Sequence, residues 1–505
     1  MRHCQRCWCP PGRRARADAY TGAVVMACFL RSIRASAARS LLAVCGWLIA
    51  SGAGAVADPA AHAASASASA LAPSAAAAGA VAAAAAAAAA AITMPSGAGQ
   101  RIYADARPRL VQVRTLLKTQ DSQSSVGSGF LVSAEGHLIT NYHVISSYAL
   151  QPGRHRLVYA TVDGQQGALQ LLAFDVVHDL ALLKPVDPAP LQGRGVINFR
   201  PAEQALPRGA RVFALGKPLD VGFAVTEGSF NGLAERHYLP TLFFGGSLNP
   251  GMSGGPALDE QGQLIGVNVA ARRDGEQLSF LVPAAAAQAL LARGRAAAPI
   301  SQAVHAEVSR QLLDHQAGLV DRFIAQGWRP AGHPRYRVPV PPETFLRCWG
   351  SGTPPAERGL QFERSDCTMD SVVFVDGPLL TGYITVRHES YDGARLGPLR
   401  FQQRYSSSFR NEELATASRL RTAAQCVERT VDRDGLPLRA VVCLAAYKKL
   451  PGLYDLSVLS ATLDGQTAGV QGRLDAHGIG FDNAQRLTRH YLDGFGWTSP
   501  KTASR

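Results

Sequence analysis

Cysteine is absent from the middle of this chain, since none of its nine cysteines lies between positions 46 and 347. Five precede this gap, and the four that follow it are Cys348, Cys367, Cys426 and Cys443. A metal site built from cysteine thiolates is therefore excluded from the middle of the chain. The amino-terminal run HCQRCWC lacks the second half that a zinc cluster requires, so we expect no metal and no cofactor.

Excess positive charge is also scarce outside the amino terminus. The formal net charge is +13, of which the eight arginines and one aspartate of residues 1–40 supply +7, leaving +6 for the remainder. No basic stripe with interleaved aromatic residues accompanies this charge. The composition therefore does not indicate a nucleic acid partner.

Residues 1–57 predict an amino-terminal extension and signal peptide. Three arginines precede the apolar run 41–57, and AVA at its end matches the small-x-small cleavage rule. If translation starts at Met26, residues 1–25 are not part of the translated protein. The predicted location is the periplasm or cell envelope. The run is near the lower length limit for a membrane span, so an uncleaved inner-membrane anchor facing the periplasm is the alternative, and membrane contact is expected only in that case.

Residues 58–98 contain little that would build a core. Alanine dominates this stretch, with ten consecutive alanines starting at position 82. We interpret it as an Ala-rich linker that tethers the exported end to the folded part. The 505 residues as a whole predict two or three domains.

Residues 99–298 read as short strands. The runs GSGFLVSAEGHLITNYHVI, ALQLLAFDVVHDLALLKP, ARVFALG and GQLIGVNVA are rich in Val, Leu, Ile and Phe, and Gly, Pro and Asp turn signals separate them. Strands at this rhythm without intervening helices favour an all-β barrel or sandwich. PAAAAQALLARGRA then predicts a closing helix.

Three polar blocks follow one another in this region: TNYHVI with His143, HDLALLK with Asp179 and GMSGGP with Ser253. Each residue alone has a structural interpretation, as a core histidine, a strand cap and a turn residue. Together they are the groups that nucleophilic catalysis needs. A serine hydroxyl requires a base to take its proton, and the base requires a partner that fixes its tautomer.

In this order the blocks resemble the HtrA (DegP-type) group of trypsin-like serine proteases, over roughly residues 102–294. The resemblance implies a trypsin-like double β-barrel with the active site in the cleft between the barrels. It implies His143 as general base and then general acid, Asp179 as its orienting partner and Ser253 as nucleophile. By the same resemblance, the N–H groups of Gly251 and Ser253 form the oxyanion hole.

The resemblance also bears on specificity. In trypsin-like enzymes the base of the primary pocket lies about six residues before the nucleophile, which here is Ser247, followed by Leu248. No carboxylate stands there, so cleavage after arginine or lysine is not expected. Small or medium apolar side chains are expected instead.

Two departures from the family pattern stand out. Met252 occupies a position where the family more often has asparagine, and its side chain is expected to point away from the chemistry. Residues 299–505 show no PDZ carboxylate-binding loop, although family members usually carry PDZ domains after the protease. The family's oligomeric form therefore does not carry over, and a homo-oligomer is left open.

Residues 299–505 predict a separate α+β domain whose role the sequence does not name. SQAVHAEVSRQLLDHQAGLVDRFIAQG has apolar residues near helical spacing, with Ser301 as its expected cap and Gly327 as its end. FDNAQRLTRHYLDGFGW predicts a closing amphipathic helix. Between them the sequence is rich in strand-like runs.

The four late cysteines predict two disulfides in an oxidising compartment. The dipeptide DG at 434–435 is a favoured hairpin turn, and counting outwards from it places Cys426 opposite Cys443. A disulfide can join them if their Cβ atoms come close enough. Cys348 and Cys367 would then form the other pair.

The sequence thus predicts an exported serine endopeptidase that acts on unfolded or damaged envelope proteins. Its expected partners are polypeptide substrates. The alternative is a protease-like protein that binds polypeptides with little or no turnover. The two differ in whether Ser253 is chemically activated.

Overall fold

The fold is that of a computed structural model of the chain. The described residues are 95–271, 278–354, 356–357, 359–410 and 412–498. The predicted signal peptide, residues 1–57, lies outside them, and so does most of the predicted linker. No helix among the described residues is long and apolar enough to cross a bilayer.

Six antiparallel strands close the first barrel. In chain order, the barrel and its two helices are α1 (Gly97–Ala106), β1 (Leu110–Leu117), β2 (Gln123–Leu131), β3 (Leu138–Thr140), α2 (Tyr142–Leu150), β4 (His155–Thr161), β5 (Gln166–Asp175) and β6 (Leu180–Pro185). The strands follow the order β1-β2-β3-β6-β5-β4, and β4 pairs back with β1. Their apolar side chains fill the interior, as a barrel of this size requires.

A second barrel of six strands follows the first. Its elements are β7 (Arg211–Gly216), β8 (Ala224–Leu233), β9 (Leu242–Gly245), β10 (Pro256–Leu258), β11 (Leu264–Ala271) and β12 (Ser279–Pro283), with the helix α3 (Ala284–Gly294) after them. The strands follow the order β10-β11-β12-β9-β8-β7. Both the double β-barrel and the closing helix of the sequence analysis are confirmed.

The chain continues into a β-rich domain with helices. Its elements are α4 (His305–Ala325), β13 (Tyr336–Arg337), β14 (Arg347–Gly352), β15 (Gln361–Thr368), β16 (Val373–Asp376), β17 (Leu379–Thr381), β18 (Tyr383–Asp392), α5 (Pro398–Arg410), β19 (Gln425–Arg433), β20 (Leu436–Ala446), β21 (Tyr454–Thr462), β22 (Ala468–Ile479), α6 (Phe481–Asp493) and β23 (Gly496–Trp497). Seven of these strands form one antiparallel sheet, β14-β15-β18-β22-β21-β20-β19. The predicted α+β class is confirmed.

Helices cover both faces of the seven-stranded sheet. On one face, Phe323 of α4 and Tyr491 of α6 are buried in one apolar cluster with sheet residues such as Val458. On the other face, Phe401 and Tyr405 of α5 pack in a smaller cluster with sheet residues. This burial explains the apolar spacing that predicted α4 and α6.

The start of α4 differs from the prediction. The helix begins at His305 after Val304, and no side chain caps it, so Ser301 is not its cap. The first barrel holds the preceding backbone instead, because Val304 N donates to the carbonyl of Ala149 at 3.1 Å. The helix ends near the expected place, since Gly327 adopts a left-handed φ of 64° two residues beyond its last turn.

The hairpin β19–β20 turns at Asp434 and Gly435, whose φ values are 56° and 78°. Two successive positive φ values suit a tight hairpin turn. The register pairs Cys426 with Cys443, and the structure joins the two in a disulfide.

A second disulfide joins the facing residues Cys348 and Cys367 of β14 and β15. Both bonds therefore staple neighbouring strands of the seven-stranded sheet.

The carboxy-terminal domain shares a hydrophobic cluster with the first barrel. Val308 and Leu312 of α4 lie in it, together with Val373 and Val375 of β16. The barrel side of this cluster includes Tyr142, which begins α2. The domain therefore packs against the helix that carries His143.

Candidate active site

His143 and Asp179 are joined by two contacts. The imidazole Nδ1 lies 2.6 Å from Oδ2 of Asp179, and the backbone N–H of His143 donates to Oδ1 at 2.8 Å. Because an ionised carboxylate only accepts hydrogen bonds, it places the imidazole proton on Nδ1. Nε2 then keeps the lone pair that a general base needs.

The backbone on both sides of this pair is held equally firmly. His143 is the second residue of α2, and Asp179 lies in the turn between β5 and β6 with a positive φ of 55°. The carbonyl of Asp179 accepts from the side-chain amide of Asn141 at 2.8 Å and from Tyr142 N at 3.1 Å. The whole turn is thereby fixed against the start of the helix.

Two opposing effects set the pKa of His143. Burial favours the neutral imidazole and lowers the pKa, whereas the charge of Asp179 and its hydrogen bond favour the imidazolium. The two contributions of Asp179 together outweigh burial, so the pKa of His143 lies above its ordinary value.

Two glycines near Ser253 occupy positions where a side chain would clash with neighbouring backbone. Gly251 has a φ of 93°, and a Cβ there would lie 2.4 Å from the carbonyl oxygen of Lys217. Gly254 has a φ of 83°, and its Cβ would lie 2.3 Å from the carbonyl oxygen of Ser128. A side chain at Gly251 would clash with backbone of the second barrel, and one at Gly254 would push the loop away from the first barrel.

These close approaches bring the serine loop to the histidine side of the cleft. Ser128 N donates to the carbonyl of Ser253 at 2.8 Å, and a Cβ on Gly254 would lie 2.9 Å from Asn141 N, two residues before His143. The three predicted triad residues therefore stand at one junction of the two barrels.

The backbone N–H groups of Gly251 and Ser253 have no hydrogen-bond acceptor within the described part of the chain. A buried or half-buried N–H normally finds a partner, so two free donors in one tight loop suit an incoming oxygen. The neighbouring donors are taken, since Met252 N bonds to Asn249 O and Gly254 N to Asn268 O.

The hydroxyl of Ser253 is hydrogen-bonded to a strand of the second barrel. Its Oγ donates to the carbonyl of Val269 at 3.2 Å, and the described residues show no hydrogen bond between Ser253 Oγ and His143. A hydrogen bond from Ser253 to His143 would form only after the hydroxyl leaves Val269. Such bonds are often absent without substrate.

Two buried polar residues that the sequence analysis did not single out support the loop. Ser128 Oγ donates to Gly251 O at 2.7 Å and accepts from Lys217 N at 2.9 Å. The side-chain amide of Asn268 donates to Met252 O of the loop at 3.3 Å and to Leu215 O of β7 at 2.9 Å. Their signal was a polar residue inside an apolar strand-like run, where burial demands a partner.

The predicted pocket residues have unequal environments. Ser247 is exposed, whereas Leu248 is half-buried against an apolar cluster that also contains Met252. The backbone N–H of Leu248 donates to the hydroxyl of Ser279, a fully buried residue that the sequence analysis missed. Met252 is itself fully buried.

The sequence of the two-barrel region matches a known protein family. Residues 127–267 match the trypsin-like peptidase domain. That segment includes the three predicted triad residues and most strands of both barrels.

Curated relatives are similar over the same part of the chain. One named "Probable periplasmic serine endoprotease DegP-like" from Ectopseudomonas mendocina (strain ymp) is 30% identical over 226 residues, 41% of this chain and 45% of that protein. "Protease Do-like 1, chloroplastic" from Arabidopsis thaliana is 31% identical over 186 residues, 34% and 40% of the two chains. "Serine protease Do-like HtrA" from Bacillus subtilis (strain 168) is 25% identical over 299 residues, 55% and 60% of the two chains.

The chain thus spans less than two thirds of the length of each of these relatives. Among solved structures, the crystal structure of the serine endoprotease from Yersinia pestis matches at 26% identity with a TM-score of 0.34, covering 40% of this chain and 67% of that one. The family match and the curated relatives agree: residues 127–267 are similar to the trypsin-like peptidase domain, and the relatives similar to this region carry the names of DegP-like and HtrA serine proteases.

Proposed function

We propose that this protein is an exported serine endopeptidase that hydrolyses peptide bonds of unfolded or damaged envelope proteins. The observation that carries the proposal is the pair of contacts between His143 and Asp179, beside a serine loop in which two N–H donors have no acceptor among the described residues. The same double contact joins His178 to Asp175, so the contacts of His143 acquire their meaning from the serine loop that lies beside them.

The chemistry follows from these positions. Ser253 Oγ attacks the peptide carbonyl carbon while His143 Nε2 takes the hydroxyl proton. The carbonyl oxygen becomes an oxyanion that accepts from the N–H groups of Gly251 and Ser253. His143 then gives its proton to the leaving nitrogen, and the C–N bond breaks to leave an acyl-enzyme. Water, deprotonated by His143, attacks the ester, releases the carboxylic acid and restores the hydroxyl of Ser253.

The substrate and location rest on several independent observations. The three curated relatives described above carry the names of endoproteases or proteases, and one is called periplasmic. Two disulfides suit an oxidising compartment, as does the predicted signal peptide. The absence of a carboxylate at Ser247 and Leu248 favours small or medium apolar side chains before the cleaved bond.

The orientation of Ser253 favours a second candidate. Because its hydroxyl bonds to Val269 O, a protease-like protein that holds polypeptides with little turnover is the alternative. Turnover separates the two functions.

Replacement of Ser253 by alanine tests the nucleophile. We expect Ser253→Ala to lower kcat on a reduced and alkylated unfolded protein by about 10⁶-fold, as for other serine proteases that lose a triad residue. Thermal unfolding should stay unchanged. Ser124→Ala, an exposed serine on β2, is the matched control and should cleave like the wild type. Equal cleavage by Ser253→Ala would contradict the proposal.

The pH dependence tests the base. Only neutral His143 can accept the serine proton, so activity should be lost as the pH falls through the pKa of His143. Because Asp179 raises this pKa, the acid limb of kcat/KM should have its midpoint above the ordinary value of about 6.5. Initial rates between pH 5 and 9 give the midpoint. A limb at or below pH 6.5 would speak against this assignment.

Replacement of Gly251 by alanine tests the oxyanion hole. The new Cβ would press on Lys217 O at 2.4 Å, so the loop must shift and carry its N–H donors with it. We expect kcat to fall by about 10²–10³-fold. Gly222→Ala is the matched control, since a Cβ at Gly222 meets no atom within 4 Å. Equal rates for both variants would rule out the proposed role of Gly251.

A further inference from the structure

A hairpin of the carboxy-terminal domain lies on the helix of the catalytic histidine. Strands β16 and β17 form a two-stranded sheet apart from the seven-stranded one. The side chains of Val373, Val375 and Leu379 are buried in the cluster that also contains Val144 and Ile145 of α2. The position of this hairpin relative to α2 is therefore set by a packed apolar core.

Phe374 lies next to His143 itself. Its ring centroid is 6.1 Å from that of the imidazole, and the two planes meet at 78°. The phenyl ring is half-buried, so part of it stays open to another molecule. The side chain of His143 keeps 29% exposure, which shows that the ring borders the imidazole without sealing it.

The residues just before Phe374 reach the other barrel. The hydroxyl of Ser371 accepts from the backbone N–H of Tyr238 at 3.4 Å, and Tyr238 lies in the loop between β8 and β9. Within four residues, 371–374, the chain thus contacts the second barrel at one end and His143 of the first barrel at the other.

We propose that residues 371–374 form a wall of the substrate cleft, and that Phe374 limits the size of the substrate side chain that lies beside His143. This inference rests on the proposed function. A peptide whose carbonyl meets Ser253 must bring a residue next to the scissile bond past His143. The phenyl ring occupies part of that space, so small side chains pass and large ones collide with the ring.

The experiment measures specificity in the full chain. Wild type and Phe374→Ala are compared on peptides that vary one residue at a time on either side of the scissile bond. We expect Phe374→Ala to raise kcat/KM at least about tenfold for phenylalanine or leucine at one position within two residues of the bond. For peptides with alanine at that position, kcat/KM should change less than about threefold. The preference for the residue before the scissile bond, which we attribute to the pocket near Leu248, should stay the same.

Two further variants keep the test sharp. Phe374→Trp should move the preference in the opposite direction, which a general loss of packing would not do. Leu380→Ala is the matched control, because Leu380 pairs with Phe374 across the same hairpin and is 45% exposed. It should leave all preferences as in the wild type.

The outcomes are distinct. The inference is overturned if the wild type cleaves the peptides and Phe374→Ala shows the same preferences. It is also overturned if Phe374→Ala raises kcat/KM equally for every peptide, because the ring would then block the cleft without selecting among side chains. An absence of cleavage by the wild type on all peptides and on unfolded protein overturns the proposed function itself.

Discussion

The two barrels meet at a seam with no room for side chains, and the arrangement of the site depends on it. The backbone of the serine loop lies against the first barrel through the bond from Ser128 N to Ser253 O and through the bare Cα of Gly254. This seam sets the distance between the serine loop and the helix of His143. Added bulk there would separate Ser253 from His143 without touching either one.

The carboxy-terminal domain belongs to the same packed body as the first barrel. Val308 and Leu312 of α4 share a hydrophobic cluster with barrel residues, and so does Val375 of the hairpin. The barrel therefore relies on this domain to cover part of its apolar surface. Because the helix of His143 is covered in this way, a domain far along the chain can shape the cleft between the barrels.

Local patterns in the sequence predicted what local physics decides. Strand runs and turn signals predicted an all-β barrel or sandwich, and only the family resemblance specified two barrels. The dipeptide at 434–435 predicted a hairpin that the structure shows. Ser301 failed as a helix cap because a distant contact, from Val304 to Ala149, held the preceding backbone. The approach of Phe374 to His143 had no local signal, since residues 231 positions apart met only through tertiary packing.

The central claim is that Ser253 is an activated nucleophile. The most direct test is covalent labelling of the full chain with a fluorophosphonate, read by intact mass and peptide mapping. The account predicts a single adduct on Ser253, absent from Ser253→Ala and much slower in His143→Ala. No adduct on Ser253, or equal labelling rates with and without His143, would contradict it.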